Sequence, residues 1–87
     1  MDESEFRVKA KDMVIEAYNE LVDITDNYPL HEDEVYIVWM CSILGYNKAL
    51  LSTTVVDGMY YEVTYNNESG ELYLDGYKKL LHKEYKL

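Results

Sequence analysis

The run Val35-Tyr36-Ile37-Val38-Trp39-Met40-Cys41-Ser42-Ile43-Leu44 constrains the fold more than any other segment. It is dense in β-branched and aromatic residues and apolar at both alternating positions, the pattern of a strand covered on two faces. A short buried helix would also accept it. No 3.6-residue period is visible, however, and the flanks, acidic His31-Glu32-Asp33-Glu34 and Gly45-Tyr46-Asn47, read as strand ends. The expectation is a central strand, with Gly45-Tyr46-Asn47 as a hairpin turn into a second strand from Lys48 to Val55.

Downstream, Asp57-Gly58 between two strand-like runs is a strong hairpin signal, because both turn positions tolerate positive φ. That predicts a third strand from Met59 to Tyr65. Asn66-Asn67-Glu68-Ser69-Gly70 is a second turn cluster, followed by a short fourth strand from Glu71 to Leu74. Upstream, Phe6, Ala10, Met13, Val14, Ala17, Leu21 and Ile24 recur at spacings of three and four, which predicts an amphipathic helix from Glu3 to Ile24, stopped by Thr25-Asp26-Asn27-Tyr28-Pro29. At the far end Asp75 offers an N-cap oxygen to a short amphipathic helix with Tyr77, Leu80, Leu81 and Tyr85 on one face.

A chain of 87 residues is one domain's worth. The expected architecture is a single α+β domain over residues 1–87: N-terminal amphipathic helix, four-stranded antiparallel meander, short C-terminal helix. Its expected core holds Trp39, Ile37, Leu50, Val63, Leu72, Leu21, Met13 and Leu81. The two helices could cover the two sheet faces, or share one face and leave the other to a second copy of the chain, so a homodimer stays open.

Val35 to Cys41, Asn47 to Thr54, Asp57-Gly58-Met59-Tyr60-Tyr61-Glu62-Val63-Thr64-Tyr65-Asn66, Tyr73-Leu74-Asp75 and Tyr77-Lys78-Lys79 together resemble a family of small uncharacterised proteins from phages and prophages of Gram-positive bacteria. The likeness is strongest from Lys48 to Asn66; where relatives often carry Pro beside the hairpin Asp, this chain has Val56. The resemblance implies no activity. It implies a context, that of an accessory protein in the cytoplasm of an infected or lysogenic bacterium.

Charge narrows the partners. The chain carries 17 acidic and 8 basic residues, a net charge of -9, which disfavours direct nucleic-acid binding. Nearly all of the excess lies before Val35, where 11 acids face 3 bases. The longest apolar run, Val35 to Cys41, is far short of the roughly 20 residues of a membrane helix, so no membrane span is expected. A single cysteine and the lack of a basic-then-apolar leader point to a cytoplasmic protein.

Nothing in the sequence gathers a reaction centre, and no cofactor is expected. Cys41 falls in the apolar run and reads as a small buried hydrophobe. His31 and Glu34 offer two ligands in an acidic linker where zinc requires three or four, and His82 reads as solvent-facing. The candidates for function are binding residues. On a helical wheel Glu5, Asp12, Glu16 and Asp23 fall within about 40 degrees of one another, flanked by Glu20 and Asp26, away from the apolar stripe. This is a carboxylate ridge whose i, i+4 spacing of about 6 Å is comparable with phosphate spacing on a nucleic-acid strand. Its plain reading is a solvated face. The ten tyrosines are the other candidates: alternation puts Tyr61 and Tyr65 on one sheet face and Tyr60 on the other, where aromatic side chains serve interfaces or simply suit strands.

Taken with the phage context that the resemblance implies, these features lead to the expectation of a non-enzymatic acidic protein that binds a basic host or phage protein, one form of which is a nucleic-acid mimic acting on a DNA-binding enzyme or a defence nuclease such as a CRISPR effector. The alternative is a homo-oligomeric assembly protein in which the ridge only confers solubility.

Overall fold

The computed structural model describes residues 1–21, 29–44 and 46–87. Helix α1 spans Glu3–Leu21, a 3-10 turn spans Glu32–Glu34, and four strands follow: β1 Val35–Ile43, β2 Tyr46–Thr53, β3 Met59–Asn66 and β4 Glu71–Lys78. The sheet is antiparallel in the order β1-β2-β3-β4, the expected meander. In that order β1 is an edge strand and not the central one expected, because each strand simply pairs with its successor through a short connection.

Helix α1 starts at an aspartate cap, where Asp2 Oδ1 accepts from the Glu5 amide at 2.8 Å. Its buried residues are Phe6, Ala10, Val14 and Tyr18, an i, i+4 row laid across β1, β2 and β3. Val35 of β1, Ala49 and Leu51 of β2, and Tyr61 and Val63 of β3 meet that row, with Leu30 closing the cluster beside it. The amide of Leu30 donates to Asn19 Oδ1 at 3.2 Å, tying the segment before β1 to the helix. The expected helix end at Ile24 and its stop signal fall largely within residues 22–28, outside the described residues.

The tyrosine alternation is as expected, whereas β1 breaks alternation. Its register shifts between Ile37, opposite Leu51, and Trp39, opposite the adjacent Leu50. Val38 is the extra residue of a β-bulge, so Ile37 and Met40 point toward the helix while Trp39 and Cys41 point away. Trp39 is consequently 43% exposed instead of in the core, and Cys41 is exposed instead of buried. Leu21 and Leu81 are exposed as well, while Met13, Ile37, Leu50 and Leu72 are half-buried; of the expected core only Val63 is fully enclosed.

The turns also differ in detail. Tyr46 and Asn47, expected in the first hairpin turn, belong to β2, with Tyr46 opposite Ile43. Asp57-Gly58 is not a two-residue turn but part of a longer connection in which Asp57 Oδ1 accepts from the Met59 amide at 3.0 Å. Gly58 (φ +73°) and Gly70 (φ +72°) take the left-handed conformation that glycine adopts without steric cost.

The short C-terminal helix is absent. Asp75, its expected cap, lies inside β4 opposite Glu62, and Tyr77 and Lys78 continue the ladder opposite Tyr60 and Met59. Residues 79–87 have no regular secondary structure, and all are exposed. Nine residues are fewer than the roughly 12 to 15 an isolated helix needs, and a row of Leu and Tyr that packs on nothing cannot make up the difference.

Candidate binding surfaces

With α1 on one face of the meander, the molecule presents two unlike surfaces. The outer side of α1 carries the carboxylates. Because Phe6, Ala10, Val14 and Tyr18 face the sheet, Glu5, Asp12, Glu16 and Glu20 point outward, and all four are exposed. Asp23 and Asp26 lie outside the described residues. Sequence reasoning passed over Lys9, also exposed, which the same wheel places among the acids and which locally interrupts the ridge. Among the described residues the ion pairs are Arg7 with Glu3 at 3.1 Å and Lys48 with Glu62 at 3.4 Å, so none of the four ridge acids is tied up.

The opposite surface is the bare face of the sheet. β1 contributes Tyr36, Trp39, Cys41 and Ile43; behind them stand Tyr46 and Leu50 of β2, Tyr60 and Glu62 of β3, and Tyr73, Asp75 and Tyr77 of β4. Trp39, Leu50, Tyr60, Tyr77, Lys78 and Lys79 line a shallow groove with the Glu62 carboxylate at its side. Tyr77 at the groove is 52% exposed. The register brings Glu62 beside Asp75, and the Lys48 ammonium answers the first of these.

The three tyrosines singled out from sequence divide between environments. Tyr60 is half-buried on the bare face, opposite Tyr77. Tyr65 is half-buried on the helix side opposite Leu72. Tyr61 is 1% exposed beneath α1 and so belongs to the core, not to a binding surface. Its hydroxyl is held above the ordinary value of 10.0, first by burial and then by the negative charge of Asp57 and by neighbouring Tyr18. The exposed aromatics of the bare face that sequence reasoning did not single out as binding residues are Tyr36, Trp39, Tyr46, Tyr73 and Tyr77. A signal for Tyr77 was present, since continuing the β3–β4 ladder past Leu74 aligns it with Tyr60. None existed for Trp39, whose direction depends on the bulge.

The polar groups do not converge. His31 is exposed, and its amide donates to Glu34 Oε1 at 3.0 Å, closing the 3-10 turn. Among the described residues no group of three or more His, Cys, Asp or Glu could hold a metal ion, and no helix is long and apolar enough to cross a membrane.

One helix laid on an antiparallel meander, acidic on its outer side and aromatic on the sheet's far side, defines a two-layer α+β protein whose distinctive features are surfaces. The chain belongs to the family of unknown function DUF6275, which matches residues 7–87. No curated protein matches it, and no solved structure does.

Proposed function

We propose that this is a non-enzymatic accessory protein whose work is to bind a basic protein through the outer side of α1. The observation that carries the reading is that Glu5, Asp12, Glu16 and Glu20 stand exposed, unpaired with any described base, on the side of the helix turned away from its buried stripe. Asp12, Glu16 and Glu20 follow one another by single helical turns, so their carboxylates are about 6 Å apart, near the spacing of successive phosphates. A row of that kind fits a groove shaped for a nucleic-acid strand. The nucleic-acid-mimic reading, directed at a DNA-binding enzyme or a defence nuclease of the host cytoplasm, rests on that spacing and on the resemblance to phage and prophage proteins.

The test is capture of the bound protein from a bacterial host, followed by titration. Binding should weaken steeply with salt, because exposed charges are screened beyond about 8 Å at physiological ionic strength. Glu5→Gln, Asp12→Asn, Glu16→Gln and Glu20→Gln together should lower affinity for the captured protein more than tenfold while the chain stays folded. Unchanged affinity in that variant makes the ridge a solvated face. A second reading, self-assembly, is favoured by the bare sheet face and is compatible with the first.

A further inference from the structure

We infer that the bare face of the sheet is covered by a second copy of this chain, face to face about a two-fold axis, with residues 80–87 of each copy laid along the other's groove. The surface area is the first argument. A compact monomer of 10.3 kDa exposes about 5,400 Å², whereas this chain exposes 6478 Å², roughly 1,100 Å² more. Its radius of gyration, 14.3 Å, likewise exceeds the about 12 Å of a compact chain of this length. The excess is of the size that one partner buries in a standard interface, about 800 Å².

The second argument is which apolar side chains stand exposed. Aromatic side chains of the sort that anchor interfaces stand on the bare face, Trp39 and Tyr77 foremost. After β4 comes a segment without regular secondary structure whose apolar members are uncovered: Leu80 is 89% exposed, and Leu81 and Tyr85 are more than two-thirds exposed. Two unsatisfied apolar surfaces on one chain cover each other if two chains exchange segments.

Charge permits the exchange. Residues 80–87 hold two lysines and one glutamate, a net of +1 in a chain whose total is -9, so the rest of the molecule carries -10. The groove they would enter is lined by Lys78 and Lys79 as well as by Glu62, which Lys48 already answers, so the acid left to meet a lysine of the other copy is Asp75, beside Glu62 and without a cationic partner among the described residues. The same arrangement turns both α1 helices outward. Their acidic ridges are then separated by two sheets and two helix layers, about 30 Å, several Debye lengths apart. Pairing through the β1 edge is disfavoured by the Val38 bulge, a device that twists an edge away from strand addition.

Sedimentation equilibrium of the full chain across the micromolar range tests this. The expected mass is twice 10.3 kDa. Trp39→Asp, whose side chain lies outside the helix-covered core, should give a monomer with unchanged far-ultraviolet circular dichroism. Should that variant misfold, Lys83→Glu with Lys86→Glu alters only exposed side chains of the exchanged segment and should weaken the dimer at least tenfold. The four ridge substitutions should leave the mass unchanged, which separates this interface from the acidic surface. A wild-type mass of 10.3 kDa at 100 μM overturns the inference. So does a dimer indifferent to both the Trp39 and the lysine changes, and so does a monomer in which Trp39 is shielded by its own residues 80–87.

Discussion

Phe6 and Trp39 are the two large aromatics whose placement separates this architecture from one with both sheet faces covered. Phe6 is fully enclosed between α1 and the sheet, so Phe6→Ala should cost about 3 to 5 kcal/mol, the transfer of the ring to water plus the cavity it leaves. An 87-residue domain has roughly 4 to 13 kcal/mol of stability in total, so this loss is a large part of the whole. It should lower the Tm by about 12 °C or more. Trp39 is 43% exposed, has already lost only part of its contact with water, and borders an open groove that can hold no cavity; Trp39→Ala should cost on the order of 1 to 2 kcal/mol in the dissociated chain. Urea titration followed by far-ultraviolet circular dichroism, on protein dilute enough to be monomeric, reads both. Equal losses for the two variants, or a larger loss at Trp39, would mean that Trp39 lies in the enclosed core and that the bulge at Val38 is misplaced.

Other expectations follow from single sites. Because the Tyr61 hydroxyl is held above 10.0, folding favours its neutral form, a contribution fully present below pH 10 and lost as pH rises through the folded value; Tyr61→Phe should flatten the alkaline decline in a pH series of urea midpoints. Gly70→Ala has open space for the added carbon but must hold φ near +72°, so it should cost about 1 to 2 kcal/mol in the same assay, and no cost would show that this turn relaxes freely. The four ridge substitutions touch only exposed groups and should change stability by less than about 0.5 kcal/mol, so that any loss of binding they cause reports on contact with the partner.

What could be read from the sequence was what local chemistry decides. Phe6, Ala10 and Val14 marked the helix by their spacing, the Asn66 to Gly70 cluster marked a turn in which Asn66 Oδ1 does accept from the Glu68 amide at 3.0 Å, and period-two alternation separated Tyr60 from Tyr61. Tyr61 showed the limit of that reading, since alternation says which residues share a face but not which face the helix covers. Trp39 was misplaced because one inserted residue inverts every position after it. The last segment was misread for a different reason. Asp75, Tyr77, Leu80 and Leu81 have helical spacing, yet Asp75 through Lys78 find ladder partners on β3, and a hydrogen-bonded edge outweighs the weak propensity of a short helix. The acidic ridge was legible because it requires only that α1 be helical and that its apolar stripe face inward.

Cys41 offers the most direct test of the central claim, that α1 covers one face of the meander and leaves the other to be covered from outside the chain. It is the protein's sole cysteine and stands exposed on the bare face, two residues from Trp39. Its labelling by excess thiol reagent should therefore go to completion in dilute native protein without denaturant, at a rate close to that of the unfolded chain, and should slow as protein concentration rises. Protection of Cys41 at every concentration, lifted only when the protein is unfolded, would show that the chain covers this face itself and would contradict the account.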